Sequence, residues 1–413
     1  MGQGTKTEPV WQGESKDVLS ELLKEGAQRL LAEALEAEVE THLERFAELR
    51  DERGHKQIVR NGYLPERMVQ SGIGPVRVRQ PRVEDRRIPA QREPFSSKIL
   101  PPYLRRTRNV EDLIPWLYLK GISTGDFPEA LAALLGPQAK GLSANTVQRL
   151  KDVWAKEYAG WNQRDLSGKR YVYMWADGIY FNVRLEEDRA CILVVMGAAA
   201  DGTKELLAVH DGVRESEQSW TEVLMDLKRR GLKNGPDLAT GDGALGFWAA
   251  LPKVFHKCRV QRCWVHKTAN VLNYLPKKLQ PSAKKMLHDI WLAATRKDAE
   301  KAFDAFVATY QAKHPKATEC LEKDRAALLA FYDFPAQHWS HIRTTNPIES
   351  AFSTVRLRTH KTKGCGTRLA TLTFVFKLAQ SAAKTWRKLN GSELLADIVL
   401  GVRFVDGIKE IAA

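Results

Sequence analysis

The 413-residue chain has no apolar run of the length a membrane span needs, about 18 residues or more, so no transmembrane helix is expected. Its opening, Met1-Gly2-Gln3-Gly4-Thr5-Lys6, lacks the apolar core of a secretion signal. With Lys at position 6 it does not fit a myristoylation site either. Cysteine is scarce: five residues, an odd number, which points to free thiols in a reducing compartment, the cytoplasm by default. Acidic residues nearly vanish from 343–388, where Glu349 stands alone among ten Lys and Arg. Apolar residues are not lacking: at 43% hydrophobic the chain can bury real cores and is no disordered tail. Its length suggests two to four domains.

Charge is uneven. The net charge is +14 and the pI about 9.5. Residues 50–110 carry 15 Lys and Arg against six Asp and Glu. That block and 343–388 are each net +9, so the remainder is net negative. One basic block is commonly just a solvated surface. Two of them, one flanking a carboxylate, favour a polyanion such as nucleic acid.

Residues 1–49 contain an amphipathic helix over 15–49, with Leu19, Leu22, Leu23, Leu30, Leu31, Leu35, Val39, Leu43 and Phe46 at helical spacing and Ser15 as its cap. Its acidic polar side suits packing within the chain or dimerisation rather than DNA. Residues 50–109 read as a basic DNA-contacting arm with a short hairpin. Arg60-Asn61-Gly62-Tyr63 is a turn signal, and Val76-Arg77-Val78-Arg79 alternates as a strand with one basic face. Residues 110–160 read as three helices. Ser123-Thr124-Gly125-Asp126 starts the second, Gly136-Pro137 stops it, and Ser143 caps a third bearing Asn145, Gln148, Arg149 and Lys151. A capped polar helix after a tight connection is the helix-turn-helix pattern, its second helix suited to the major groove, though many small helical domains share it.

From 168 to 265 strands and helices alternate. Strands are expected at 171–176, 191–199, 204–210, 237–241 and 258–264, with helices at 216–230 and 244–251. Three strands, then helix, strand, helix and strand is the order of a ribonuclease-H-like mixed sheet, which makes the fold class α+β. Residues 266–340 read as a helical insertion anchored by Trp291, Phe303, Phe306, Tyr310, Phe331 and Tyr332. The core resumes over 341–390, and 391–413 is an amphipathic tail without a chemical signal.

Three carboxylates stand out: Asp177, Asp242 and Glu349. Asp-Gly is first a turn signal and occurs five times, at Asp177, Asp201, Asp211, Asp242 and Asp406. Asp201 and Asp211 read as turns. Asp177 and Asp242 end the first and fourth strands, which are neighbours in the proposed order. Facing carboxylates repel unless a cation lies between them. Glu349 has a competing reading, since Asn346-Pro347-Ile348-Glu349 fits a capping box with Asn346 as cap. As a functional group it would need its helix beside the first strand, with Arg356, Arg358, Lys361 and Lys363 holding DNA. Carboxylates suit Mg²⁺, a hard ion that prefers oxygen. Two such ions about 3.5–4 Å apart can activate a water or 3′-hydroxyl and stabilise the leaving oxygen of an in-line displacement. His256-Lys257-Cys258 with Cys263-Trp264-Val265-His266 admits a zinc reading. The alternative puts Cys263 and His266 at a strand end near Asp242, positioning metal or DNA.

Together these motifs resemble bacterial insertion-sequence transposases of the Mutator type, in the DDE superfamily. The residues that carry the resemblance are Arg60-Asn61-Gly62-Tyr63, Lys120-Gly121-Ile122-Ser123-Thr124, Asp177-Gly178, Glu215-Ser216 with Trp220, Gly241-Asp242-Gly243, Gln261-Arg262-Cys263-Trp264-Val265-His266 and Thr344-Thr345-Asn346-Pro347-Ile348-Glu349-Ser350. Gly125 departs from the pattern, where the family often has Arg. The resemblance implies a ribonuclease-H-like core with a helical insertion. It implies catalytic, metal-holding Asp177, Asp242 and Glu349 with two Mg²⁺ (or Mn²⁺) ions, supported by His266 and Cys263. It further implies recognition of terminal inverted repeats, cleavage and strand transfer into target DNA, a homodimer, and a cytoplasmic, nucleoid-associated protein. Arg60, Arg77, Arg79, Asn145, Gln148, Arg149, Arg356, Arg358, Lys361 and Lys363 are the expected DNA contacts. The rival expectations are a DNA-binding regulator without activity and a ribonuclease-H-like nuclease.

Overall fold

The computed structural model describes residues 18–120, 122, 127–135, 144–181, 189–243, 245–361 and 367–410. Ser15, Ser123–Asp126, Gly136-Pro137, Ser143 and Lys363 lie outside them. Two compact units result, Met1–Val147 and Gln148–Ala413.

In the first unit, helix α1 (Val18–Glu44) buries only Leu35 and Val39. Leu35 packs with Val69, Val76 and Val78 of the following ribbon and with Leu100 beyond it. Leu19, Leu22, Leu23 and Leu30 stay exposed, and Phe46 falls in turns beyond the helix. The ribbon comprises β1 (Ile58–Tyr63), β2 (Arg67–Ser71), β3 (Gly74–Val78) and β4 (Pro81–Asp85), with β2 pairing β3 and β1 pairing β4, both antiparallel. Val76 and Val78 face inward while Arg77 and Arg79 face solvent, as the alternation requires.

The turn expected at Arg60–Tyr63 is corrected. Those residues lie inside β1, where Gly62 takes φ +65° and the register shifts between Arg60 and Tyr63. A left-handed glycine that inserts residues into one strand makes a bulge, not a reversal. The reversal is at Ser71–Gly74, where Ser71 Oγ donates to the Gly74 carbonyl (2.7 Å) and Gly74 has φ +100°. Helices α2 (Arg108–Lys120) and α3 (Phe127–Leu135) share a core of Val110, Ile114, Leu117, Phe127, Leu131 and Leu135.

Helix α4 (Ala144–Asn162) crosses the unit boundary, so the three helices expected over 110–160 do not form one unit. The cause is aromatic. Beyond Gln148, Trp154 is buried, Tyr158 Oη donates to the Val209 carbonyl (2.8 Å), and Trp161 lies 4.8 Å from the Phe376 ring.

In the second unit, β5 (Tyr171–Phe181), β6 (Ala190–Ala199) and β7 (Lys204–Gly212) form an antiparallel meander. Helix α5 (Glu217–Arg229), β8 (Leu238–Gly241), α6 (Leu245–Val254) and β9 (Arg259–Arg262) follow. The sheet order is β7-β6-β5-β8-β9, with β5–β8 and β8–β9 parallel. This mixed sheet makes Asp177 and Asp242 strand neighbours, as expected. One side of it packs under α5 and α6 through Trp220, Val223, Leu224, Leu227, Phe247 and Leu251. Strand β5 does not end at Asp177, because it pairs with β6 as far as Phe181. Asp201-Gly202 turns as expected, with Gly202 at φ +81°. Asp211 does not: it lies in β7 and grips Arg368 through two hydrogen bonds (2.9 and 2.7 Å).

The insertion is helical throughout: α7 (Trp264–Leu272), α8 (Gln280–Trp291), α9 (Arg296–Tyr310), α10 (Pro315–Glu322), α11 (Arg325–Leu328) and α12 (Trp339–Ile342), with short 3-10 turns between. Phe303, Phe306, Phe331 and Tyr332 are fully buried in it. Helices α13 (Asn346–Lys361) and α14 (Arg368–Ala383) return to the sheet, α13 against β5 and α14 against β6 and β7. The tail forms α15 (Leu395–Val399) and a hairpin of β10 (Phe404–Val405) and β11 (Ile408–Lys409). Gly407 exchanges backbone bonds with Ala336 and Tyr332. Among the described residues no helix is long and apolar enough to cross a membrane.

Candidate metal centre

Asp177 is 5% exposed in the interior of the sheet. Its neighbour β8 pairs with β5 up to Ala176↔Gly241, so the next residues in register are Asp177 and Asp242. The ladder continues past the strand ends, where the Cys263 amide donates to the Gly241 carbonyl (2.9 Å). That places Cys263, the residue before α7, next to Asp242 in register, with His266 in the helix's first turn.

Glu349 reaches Cys263 and His266 from beyond the insertion. Thr240 Oγ1 donates to the Ile342 carbonyl (2.6 Å), Trp175 Nε1 to the His341 carbonyl (3.0 Å), and the Trp264 amide to the Arg343 carbonyl (3.1 Å). These bonds pin 341–343 to the strands that carry the aspartates, and α13 starts three residues later.

The capping box expected at Asn346 does not form. The helix begins at Asn346, and the amides of Ile348 and Glu349 both donate to the Thr345 carbonyl (3.0 Å each). The Glu349 carboxylate instead accepts from Thr345 Oγ1 (2.6 Å) and lies 3.6 Å from His266 Nδ1. Thr345 has one hydroxyl proton, and the short bond to Glu349 uses it. The 3.3 Å contact between Thr345 Oγ1 and His266 Nδ1 therefore has the imidazole as donor. The Thr345 amide donates to Cys263 Sγ (3.3 Å). Ligand atoms of Cys263, His266 and Glu349 lie within 4.8 Å of one another. The other half of the zinc reading goes elsewhere: His256 Nδ1 is 3.0 Å from the Pro252 carbonyl, and Cys258 Sγ donates to the Arg259 carbonyl.

A buried carboxylate to which the sequence assigned no role lies over β5, on the face that Gly178 shares with Tyr180. Glu215 directly precedes Ser216, whose Oγ caps α5 by accepting the Ser219 amide (3.2 Å). Its carboxylate occupies the space over Gly178, where a Cβ would stand 2.5 Å from the Glu215 Cδ. The Glu215-Ser216 pair was visible in the sequence, but a glutamate before a helix cap carries no chemical signal of its own.

Burial, then the charge of Asp242, pushes the Asp177 carboxyl up to about 7. Glu215 rises to about 7 for the same two reasons. The hydrogen bond to Cys263 holds His266 up at about 9, against the effect of its burial. Burial pushes the Cys263 thiol up, but its bonds with His266 and Thr345 outweigh this and leave it below the usual range. Among the described residues, the buried carboxylate oxygens without a hydrogen-bond partner are Asp177 Oδ2 and Glu215 Oε2. Such oxygens are costly in a dry site. A hard divalent cation would satisfy the Asp177 oxygen, so Asp177 and its neighbour Asp242 fit Mg²⁺ or Mn²⁺.

The expected DNA contacts separate into groups. Arg77, Arg79, Arg149 and Arg356 are exposed, and Arg79 stacks on Tyr63 (4.5 Å). Arg60 is exposed but engaged, donating to Glu36 of α1 (2.6 Å). The basic ribbon is thus balanced partly from within its own unit. Asn145 and Gln148 lie on α4, and Arg358 and Lys361 on α13, with side chains outside those described. Part of the 343–388 block is structural: Arg343 stacks on Trp291 (4.4 Å), Arg368 holds Asp211 and Lys377 pairs with Glu157 (2.6 Å).

Comparison with known proteins adds to this geometry. The family profile described as "Transposase, Mutator family" matches residues 3–389. The chain is 54% identical over 287 residues to the transposase for insertion sequence element IST2 of Acidithiobacillus ferrooxidans, covering 68% of this chain and 95% of that protein. It is 49% identical over 298 residues to the transposase for IS6120 of Mycolicibacterium smegmatis, covering 72% and 92%. A more distant relative is the transposase for IS256 in transposon Tn4001 of Staphylococcus aureus, 29% identical over 310 residues, covering 74% and 76%.

Proposed function

The chain belongs to the Mutator family of transposases, and from that premise we propose that it binds the terminal inverted repeats of an insertion sequence, cuts DNA there and joins the ends to target DNA, using Asp177, Asp242 and Glu349 as the catalytic carboxylates. The observations that carry this reading are Asp177 and Asp242 in register on neighbouring strands, the buried Asp177 oxygen that lacks a partner, and Glu349 beside His266. The strand order supports a ribonuclease-H-like core.

Asp177, Asp242 and Glu349 would hold the divalent ions. A pair of Mg²⁺ ions supplies activation of a water or 3′-hydroxyl and stabilisation of the leaving oxygen. The protein positions the donors. Thr345 fixes the Glu349 carboxylate by donating to it. Protonated His266, backed by Cys263, donates to Thr345 and so orients that hydroxyl. The imidazolium also places positive charge beside Glu349. Arg77, Arg79, Arg149 and Arg356 are the exposed cations suited to the DNA backbone. The exposed Leu19, Leu22, Leu23 and Leu30 of α1 offer a face for a second copy, in keeping with a homodimer that synapses two ends. With DNA as its substrate, the protein is assigned to the bacterial cytoplasm.

The test is a labelled duplex carrying the element's own ends, incubated with target plasmid and Mg²⁺. Cleavage at the repeat boundary with joined product is expected. Cutting without joining would indicate a nuclease, and binding without cutting a regulator. In the same system, Arg77→Ala with Arg79→Ala should lower affinity for all duplexes. It should also flatten the dependence of log K on log salt by about one for each phosphate that the variant no longer neutralises. An unchanged slope would remove the ribbon from the DNA-binding surface.

A further inference from the structure

We propose that Cys263, His266 and Glu349 form a site for Zn²⁺, with three protein ligands and an open fourth position, chemically distinct from the Mg²⁺ centre of the aspartates. Ligand atoms of the three lie within 4.8 Å of one another. Cys263 stands at the cap of α7 and His266 in its first turn. Three residues apart, they project to one side of the helix. His266 Nδ1 and Glu349 Oε1 are 3.6 Å apart. That is too long for a hydrogen bond. It suits two ligands of one tetrahedral zinc, which bonds of about 2.0–2.2 Å set about 3.4 Å apart.

The donor set selects the ion. Mg²⁺ takes oxygen ligands, whereas thiolate and imidazole favour Zn²⁺. Thr345 braces two of the ligands at once. Its amide donates to Cys263 Sγ (3.3 Å) and its hydroxyl to Glu349 Oε1 (2.6 Å), as the partners behind a metal site do. The main chain is pinned too: the Cys263 amide donates to the Gly241 carbonyl (2.9 Å) and the Trp264 amide to the Arg343 carbonyl (3.1 Å). Cys263 is 1% exposed, while the His266 and Glu349 side chains keep 37% and 26% of their surface. The thiol therefore closes the back of the site and the other two ligands leave an entry path. Zn²⁺ takes the place of the His266 Nδ1 proton, which leaves as H⁺ together with any proton on Cys263. Glu349 also belongs to the proposed Mg²⁺ centre, so the two ions compete for it; that consequence alone rests on the reading above.

The experiment is titration of the metal-free full chain with Co²⁺, followed by absorption, without DNA or turnover. A thiolate-to-cobalt charge-transfer band and the intense visible bands of four-coordinate Co²⁺ should rise together and saturate at a single ion per chain. Zn²⁺ should bleach them, and Mg²⁺ at the same concentration should not. Cys263→Ser should lose the charge-transfer band. His266→Ala and Glu349→Gln should each weaken Co²⁺ binding at least ~10-fold, since even partners behind a ligand are worth that much. Glu349→Gln, at a part-exposed position, keeps the test independent of any folding loss in the buried Cys263→Ser. His256→Ala and Cys258→Ser should match wild type. No band in wild type, a charge-transfer band that survives in Cys263→Ser, or wild-type affinity in Glu349→Gln would overturn the site. Equal losses in Cys258→Ser would move the thiolate elsewhere and also overturn it. The Mg²⁺ reading fails on a different result, wild-type cleavage by Asp177→Asn, a variant that should keep the cobalt bands.

Discussion

Asp177→Asn, Asp242→Asn and Glu349→Gln should each bind end-containing DNA like wild type and cut it at least ~100-fold more slowly in Mg²⁺, since groups that only support metal ligands are already worth about 10–100-fold. The amides keep shape and hydrogen bonding but remove the charge a hard cation needs. Normal folding is expected at all three sites. Asp177 sits in a strand paired on both sides, Asp242 follows a paired strand end, and Glu349 uses its carboxylate on Thr345 rather than on the helix start. Glu349 is the discriminating member. As a helix cap its replacement by Gln would be nearly silent, because Gln serves a capping box equally well. Cleavage by Glu349→Gln at the wild-type rate would remove it from the site.

Metal-free protein should lose stability as pH rises from 5 to 8, and Mg²⁺ should restore it at the upper end. Asp177 and Glu215 titrate near 7 in the folded chain but near 4 when unfolded. Between those values the folded state keeps protons that the unfolded state has released. Their stabilising effect is therefore complete below about pH 4 and is lost as pH rises through 7. For buried Asp177 the displacement corresponds to on the order of 4 kcal/mol; the more open Glu215 adds less, because solvent screens it. Cys263 and His266 shift in opposite senses and share a proton, so their effects largely cancel. Thermal unfolding with EDTA or Mg²⁺ checks this. Asp177→Asn should flatten the pH profile, exceed wild type in stability at pH 8 without metal, and respond little to Mg²⁺. A wild-type profile equally steep in Asp177→Asn would place the repulsion elsewhere.

Much of this was legible because burial and pairing leave periodic traces. The five strands and both helices between 171 and 262 are short, apolar and bounded by turn residues, and their order alone makes Asp177 and Asp242 neighbours. What failed had a local cause. Gly62 and Asp211-Gly212 carry turn chemistry, yet a cross-strand partner absorbed the first as a bulge and Arg368 held the second in its strand. Asn346-x-x-Glu349 looks like a capping box, but Thr345 one residue earlier supplied both the helix start and the partner for Glu349. The burial of Glu215 was hidden because it depends on Gly178 and Gly246, neighbours that meet it only in three dimensions. The grouping of α4 with α2 and α3 followed chain order, whereas Trp154, Tyr158 and Trp161 commit most of that helix to the larger unit.

The most direct test of the metal centre is anomalous diffraction from crystals of the full chain soaked in Mn²⁺. The account predicts a manganese peak among Asp177, Asp242 and Glu349. Manganese bound only elsewhere, with those carboxylates unmoved in crystals whose solvent channels reach them, would contradict it.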